Sequence, residues 1–268
     1  MTNDARALLP IALEAVAIAN ELITTRPPGV ITAKGDRDMA TEVDYAVERA
    51  VRDHLGLRTP AVRFLGEEGG EDGHTGEGLQ WVLDPVDGTV NFMHGLPLCG
   101  VSLALVRGDT AILGVIDLPF LGSLYAAAEG DGATLNGRPI KAGGAATLET
   151  ALVSVGDYAV GDGAEERNRA RHAITWRLAA RVQRIRMFGS AAIDLVWVAE
   201  GKTDACVMLA NKPWDTAAGV VIAKEAGAHV TDLDGTPHTT RSTATIAAAP
   251  GILPQIIELA GGARSSTA

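Results

Sequence analysis

The chain has 268 residues, 47% hydrophobic and 21% charged, with 31 glycines and a formal net charge of −10. That length suits one large domain or two intimately packed ones, and the acidic balance argues against nucleic acid or an anionic membrane as partner. An anionic substrate on such a chain needs bound cations to mediate the contact.

Residues 4–24 carry helical periodicity and predict an amphipathic helix. With acidic residues, no basic flank and no small-residue cleavage site, this N-terminus does not read as a secretory signal. A second helix is expected from Thr41, because "TEVDYAVERAVRDHL" opens with Thr-x-x-Asp, a relative of the capping box. "VRFLG" (62–66) and "QWVLD" (80–84) read as strands, with the acidic loop "EEGGEDGHTGEG" between them. Residues 88–106 lack Lys, Arg, Asp and Glu and approach the length of a membrane span, but their glycines, Pro97 and strand-like second half favour a soluble, cytoplasmic protein. Three β-like runs then fill 98–128, separated by "RGDT" and "DLPFLG", which suggests antiparallel strands.

The turn-rich "GDGATLNGRPIKAGG" leads to a boundary near 145–150. It divides an N-terminal α+β part, 1–148, from a C-terminal α/β part, 149–268. Beyond it come the strand "ALVSVG", a helix over 164–181, and the helix "SAAIDLVWVAEG", with Ser190 as N-cap and Gly201 closing it. "EERNRARH" within the first of these helices reads as a solvated face or as a lid over a site. A last strong helix starts at Pro213 and stops at Gly227. Cys99 and Cys206 lie in apolar surroundings and read as buried thiols in a reducing compartment. None of the six histidines has metal-ligand spacing. The pattern is a mixed α/β chain, antiparallel in its first half and alternating in its second.

Carboxylates gather at the ends of these elements. Glu67 and Glu68 follow one strand, Asp84 and Asp87 follow another within "DPVDGT", and Asp215 opens an apolar helix. Pro85 is expected to turn the chain sharply after Asp84, and Gly88 to let backbone approach a ligand. In such a turn Asp84, Asp87 and the Val86 carbonyl can converge on a hard cation, while Gly88 and Thr89 open a short helix that favours phosphate. Each piece also has a plainer reading: Asp-Pro and Asp-Gly are common turn chemistry, Glu67 and Glu68 could be a solvated loop, Asp215 could complement a helix dipole, and Asp44 could only cap its helix. Their co-occurrence at element ends favours a site.

Together "KGDRDMATEVDYAVE", "FLGEEGG", "WVLDPVDGTVNF", "GSAAIDLVWVAEGKTDACV" and "PWDTAAGVVIAKEAG", in this order and spacing, resemble the inositol monophosphatase family. The resemblance implies a layered αβαβα sandwich of the inositol monophosphatase and fructose-1,6-bisphosphatase type, a homodimer, and magnesium-dependent, lithium-sensitive hydrolysis of phosphate monoesters with two or three Mg2+ per subunit. Carried over, Glu67, Asp84 and the Val86 carbonyl hold one ion, Asp84, Asp87 and Asp215 a second, and Glu67 a weaker third. Thr89, paired with Asp44, orients and deprotonates the attacking water with Glu67. Gly88 and Thr89 offer amides to phosphate; Gly189, Ser190 and Ala191, with Asp87 and Asp215, lie against the substrate; Lys34 stands near the water network. The family's inositol-preferring members carry a glutamate seven residues before the "WD" aspartate, where this chain has Met208. A methionine does not replace that acceptor. The substrate therefore stays open among inositol 1-phosphate or a related polyol phosphate, histidinol phosphate, fructose-1,6-bisphosphate and a 3′-phosphoadenosine nucleotide. A regulatory binding protein retaining the fold is the alternative of another class.

Overall fold

The central strands are apolar at nearly every position, and because successive side chains point to opposite faces each strand has two apolar faces to bury, which dictates a layered architecture. The structure, a computed structural model, describes residues 5–35, 38–71 and 78–261. Its elements run, in chain order, α1 (Ala5–Thr25), β1 (Ile31–Gly35), β2 (Asp38–Thr41), α2 (Glu42–Arg58), β3 (Arg63–Gly66), β4 (Gly70–Glu71), β5 (Leu79–Asp87), α3 (Thr89–Met93), β6 (Gly100–Arg107), β7 (Thr110–Leu118), β8 (Ser123–Ala128), β9 (Ala133–Leu135) and β10 (Arg138–Pro139). Then follow β11 (Leu152–Val155), α4 (Ala164–Ala179), β12 (Arg184–Arg186), α5 (Ala191–Glu200), β13 (Ala205–Leu209), α6 (Pro213–Glu225), β14 (His229–Thr231), β15 (Ala244–Ala248) and α7 (Leu253–Gly261).

Among the described residues these make an eight-stranded sheet, in the order β10-β9-β8-β7-β6-β5-β3-β4, a five-stranded sheet, β12-β11-β13-β15-β14, and a β1–β2 ribbon. Side chains sort themselves between layers by parity. In β6, Val101, Leu103 and Leu105 face a core shared with α1 and α2, while Ala104 and Val106 face a second core shared with α5 and α6. In β13, Cys206 and Met208 face that second core, and Ala205 and Val207 face a third, beneath α4 and α7. The result is a layered αβαβα sandwich. Helix α2 buries Val43, Val47, Val51 and Leu55, spaced by four, against the first sheet; each contributes about 1.5–3 kcal/mol by area.

α6 is buried continuously from Thr216 to Ala223, as expected of a helix wedged between two sheets rather than lying on one. Helix α1 is long and apolar enough to cross a membrane by length and composition. It packs instead, with Ala12, Ala15, Val16, Ala19 and Ile23 in the first core.

Three expectations need correction. Pro85 does not turn the chain sharply: β5 continues to Asp87, and its pairing with β6 shifts register between Asp84 and Asp87. A proline is tolerated at such an irregularity because no ladder amide is needed there. The first half is not wholly antiparallel, since β3 pairs β5 in parallel. In the second sheet β11 is parallel to β12 and β13, while β15 is antiparallel to both its neighbours. Of the acidic loop between β3 and β5, Gly70–Glu71 forms the short β4 and residues 72–77 lie outside the described set.

Candidate active site

The end of β5 places its carboxylates where the register shift opens the sheet. Asp84 is 4% and Asp87 6% exposed. The Val86 amide donates to Asp84 Oδ1 at 3.1 Å. Gly88 then takes φ +83°, and a Cβ there would lie 2.7 Å from the Leu98 carbonyl oxygen. Only glycine meets both demands, and α3 starts directly after it.

Asp87 reaches across to the second half of the chain. Its oxygens accept the Ala191 amide at 3.0 Å, the Ala192 amide at 3.1 Å and the Ser190 hydroxyl. The first turn of α5 therefore grips a carboxylate with the amides it cannot satisfy internally. Asn91 makes the parallel tie, donating to the carbonyls of Leu98 and Phe188, each at 2.8 Å, and more weakly to Gly189.

α2 contributes Asp44, buried at its third position in the expected capping box with Thr41. Thr89 Oγ1 lies 3.2 Å from Asp44 Oδ1 and 2.9 Å from the Val86 carbonyl. That carbonyl, expected as a metal ligand, thus accepts the Thr89 hydroxyl. Glu67 stands just past β3, its amide held by the Leu83 carbonyl at 3.2 Å. Lys34 Nζ engages Glu67 at 2.6 Å and Glu68 at 2.8 Å. Asp215 sits in the first turn of α6 and accepts the Lys212 amide at 2.7 Å.

These groups feel one another. Burial drives Asp84 well above the usual carboxylate range, and Glu67, Asp87, Asp215 and Asp44 push it further. Burial lifts Asp87 to about 7, against the pull of Ser190 and the α5 amides, with Asp215 adding to the rise. Burial lifts Asp215 to about 6, opposed by the Lys212 amide and aided by Glu67. Burial also raises Asp44, against its bonds from Thr41 and Thr89. Among the described residues no three acidic, histidine or cysteine side chains are gathered into a ready-made cage; the acids turn instead to amides, hydroxyls and Lys34. An all-oxygen donor set whose members repel one another suits a hard divalent cation in chemistry and in charge.

Beside the carboxylates opens a cleft of about 240 Å³, lined among others by Asp87, Ser190, Ala191, Met208, Asn211 and Asp215. The structure thus brings Asp87, Gly189, Ser190, Ala191 and Asp215 to one cleft, leaves Asp84 off its wall but within electrostatic reach of Asp87 and Asp215, and sets Thr89 on Asp44. Lys34 and Glu67, joined by their ion pair, are not among the residues that line this cleft. Met208 both lines the cleft and packs in the second core. Asp194 also lines the cleft, buried, with its Oδ1 lacking a hydrogen-bond partner.

The charged run on α4 is not simply solvated. Arg167 donates to the Val160 and Asp162 carbonyls, Asn168 brackets both backbone groups of Ala159, and Arg171 reaches the Asp157 and Leu209 carbonyls. It pins the segment that leads from the cleft. Sequence reading missed Asn91 and the buried Glu48, whose sole signal is a glutamate beside the apolar stripe of α2.

A five-layer αβαβα sandwich with carboxylates clustered where one sheet meets the intersheet helices defines a class, the phosphoric monoester hydrolases of the inositol phosphate and sugar phosphate type. Within that class the chain belongs to the inositol monophosphatase family, whose description matches residues 4–264. It is 36% identical over 245 residues to a probable inositol 1-monophosphatase ImpA of Mycobacterium tuberculosis, covering 91% of this chain and 90% of that one. It is 38% identical over 201 residues to the fructose-1,6-bisphosphatase/inositol-1-monophosphatase of Thermotoga maritima, covering 75% and 74%. Among solved structures, a Thermotoga maritima IMPase superposes with a TM-score of 0.87 at 31% identity, over 96% of this chain and 98% of that one.

Proposed function

We propose that this phosphatase hydrolyses inositol 1-phosphate or a related polyol monophosphate in a magnesium-dependent reaction. The observation that carries the reading is that Asp87 and Asp215 line one cleft, with Asp84 and Glu67 near enough to raise the carboxyls around them. Glu67, Asp84, Asp87, Asp215 and the Val86 carbonyl would hold two or three Mg2+. When bound, the ions would supply an acidified water and a counter-charge for the leaving alkoxide.

The chain's own groups do the rest. Thr89, 3.2 Å from Asp44, can take a proton from the water and pass it to that buried carboxylate. Gly88 and Thr89 present backbone amides to the phosphate, and Lys34 steadies Glu67. Gly189, Ser190 and Ala191 border the substrate body. Asp87, fixed by α5 amides, keeps the substrate side aligned with the metal side.

Met208 puts a thioether on the cleft wall, so this wall recognises an apolar ring face rather than a hydroxyl. Among the described residues lining this cleft none is Lys, Arg or His, and Asp157 joins its acidic members. A second phosphate there would meet like charge, at a cost of order 1–4 kcal/mol per close pair. This favours a monophosphate of a neutral, hydroxyl-rich body over a bisphosphate.

The same family resemblance supports a lithium-sensitive, cytoplasmic homodimer, with 1–148 and 149–268 as its subdomains. The test is phosphate release from inositol 1-phosphate, histidinol phosphate, fructose-1,6-bisphosphate and adenosine 3′,5′-bisphosphate, with and without Mg2+. Wild type is expected to release phosphate only with Mg2+ and fastest from inositol 1-phosphate, and Asp87→Asn to lose the activity. Release without Mg2+, or an equally active Asp87→Asn, would overturn the assignment.

A further inference from the structure

α2 touches both acidic segments of the site, and it does so from residues one turn apart. Asp44 accepts from Thr89, just past the end of β5. Four residues on, about 6 Å along the axis, Glu48 faces the loop that carries Glu67. Glu48 is 4% exposed, and it binds that loop by its backbone: the Glu68 amide donates to Oε2 and the Gly69 amide to Oε1, both at 2.8 Å. Arg52, a further turn along, donates to Glu48 Oε1 at 2.7 Å and to the Gly70 carbonyl at 3.5 Å. Its guanidinium lies over the Phe64 ring, 4.6 Å from the centroid. Asp44, Glu48 and Arg52 therefore form a ladder of charged side chains on α2, set beside the stripe that packs into the core.

The loop is shaped to admit this carboxylate. A Cβ at Gly66 would lie 2.3 Å from Glu48 Oε2, and one at Gly69 would lie 2.5 Å from Oε1. The "GEEGG" sequence thus places glycines where Glu48 comes closest, and leaves Glu67 between them, its own amide tied to Leu83 of β5. A carboxylate accepting two backbone amides in a buried setting fixes backbone position firmly, because charge-assisted bonds are short and directional.

We propose that Glu48 is a positioning residue for metal binding: acting through the backbone of Glu68 and Gly69, it holds Glu67 at the distance from Asp84 that a shared cation requires, with α2 as the common ruler for both segments. The inference rests on the metal-dependent reading above. Glu48 does not touch the ion or the substrate; it sets where a ligand stands.

Two variants of the full-length protein test it by different routes. Glu48→Gln keeps the shape but turns one oxygen into an N–H facing a backbone N–H. Gly69→Ala keeps every charge and pushes a methyl against the Glu48 carboxylate, at a residue whose backbone is not left-handed. Mg2+ affinity is measured by titration calorimetry without substrate, and KM is measured at saturating Mg2+. Both variants are expected to bind Mg2+ about tenfold more weakly, the usual effect of disturbing a group that orients a metal ligand, with KM unchanged. If Glu48→Gln fails to fold, Gly69→Ala decides. Wild-type Mg2+ affinity in the folded variants, whatever their Tm, overturns the inference and leaves the metal reading standing. A wild-type chain that binds no Mg2+ overturns the metal reading, and this inference with it.

Discussion

Burial holds Asp84 well above its usual range, and four further acids of the site, Glu67, Asp87, Asp215 and Asp44, push it higher. Each raised carboxyl binds its proton more readily in the folded chain than in the unfolded one. Its stabilising protonation is therefore complete below about pH 4, and is lost as pH rises through about 6 for Asp215 and about 7 for Asp87. The metal-free protein should lose thermal stability between pH 5 and pH 8, and saturating Mg2+ should flatten that slope. Asp84→Asn should raise the Tm of the metal-free protein at pH 8, lose the Mg2+-induced rise, and lower kcat/KM by at least about a hundredfold, roughly 3 kcal/mol of transition-state stabilisation. Thermal melts with and without Mg2+ check the first two, and initial rates the third. These acids were legible in the sequence because an acid at a strand exit is chemically conspicuous. Asn91 was not: its partners are carbonyls at Leu98 and Phe188, and nothing in a local spacing points across 97 residues.

At the scale of elements, apolar periodicity located α1 and α2, end signals such as Ser190, Gly201, Pro213 and Gly227 located α5 and α6, and apolar runs bounded by turn residues located β6, β7 and β8. Strand direction was less legible. Whether β3 runs parallel to β5, or β15 antiparallel to β13, depends on connections and packing that no single segment encodes. The end of β5 was misread as a sharp turn because Asp-Pro usually marks one; pairing with β6 overrides that local preference. The short α3 has no side-chain cap and leans on Asn91 to join it to the 188–189 backbone. Asn91→Ala should cost about 1–2 kcal/mol of stability, as half-buried carbonyls lose their donor. Because the same side chain sets α3 against the start of α5, kcat should fall more than KM. Urea unfolding and steady-state kinetics on the variant give both values; an unchanged kcat would mean that the tie serves stability alone.

For the whole molecule, acid response is a contest between opposite signs. His238, 6% exposed, contacts Thr245 Oγ1 at 2.8 Å. Burial pulls it down to about 4, Lys224 adds to the fall, and Asp232 opposes it. A histidine depressed in the folded state gives stability that is fully present above its ordinary value near 6.5, and that stability is lost as pH falls towards 4. The stake is about 3 kcal/mol at most. The carboxyls favour low pH and His238 opposes it, so the Mg2+-loaded protein, with the carboxyl slope removed, should show the histidine's acid loss clearly. His238→Gln should flatten that limb in melts between pH 6.5 and pH 4.

The two buried thiols offer a readout of another kind. Cys99 belongs to the first core and Cys206 to the second, and burial raises both, Cys99 to about 12. Neither can react while the layers stay shut, so the rate at which a thiol reagent labels each one times the parting of its own pair of layers. Cys99 lies close to Gly88 and Asp87. A cation joining Asp215 of the intersheet helix to the acids of the first sheet would, however, clasp the second core rather than the first, so Mg2+ should slow labelling of Cys206 far more than that of Cys99. The chain would then carry, in two inert side chains, clocks for two of its three seams.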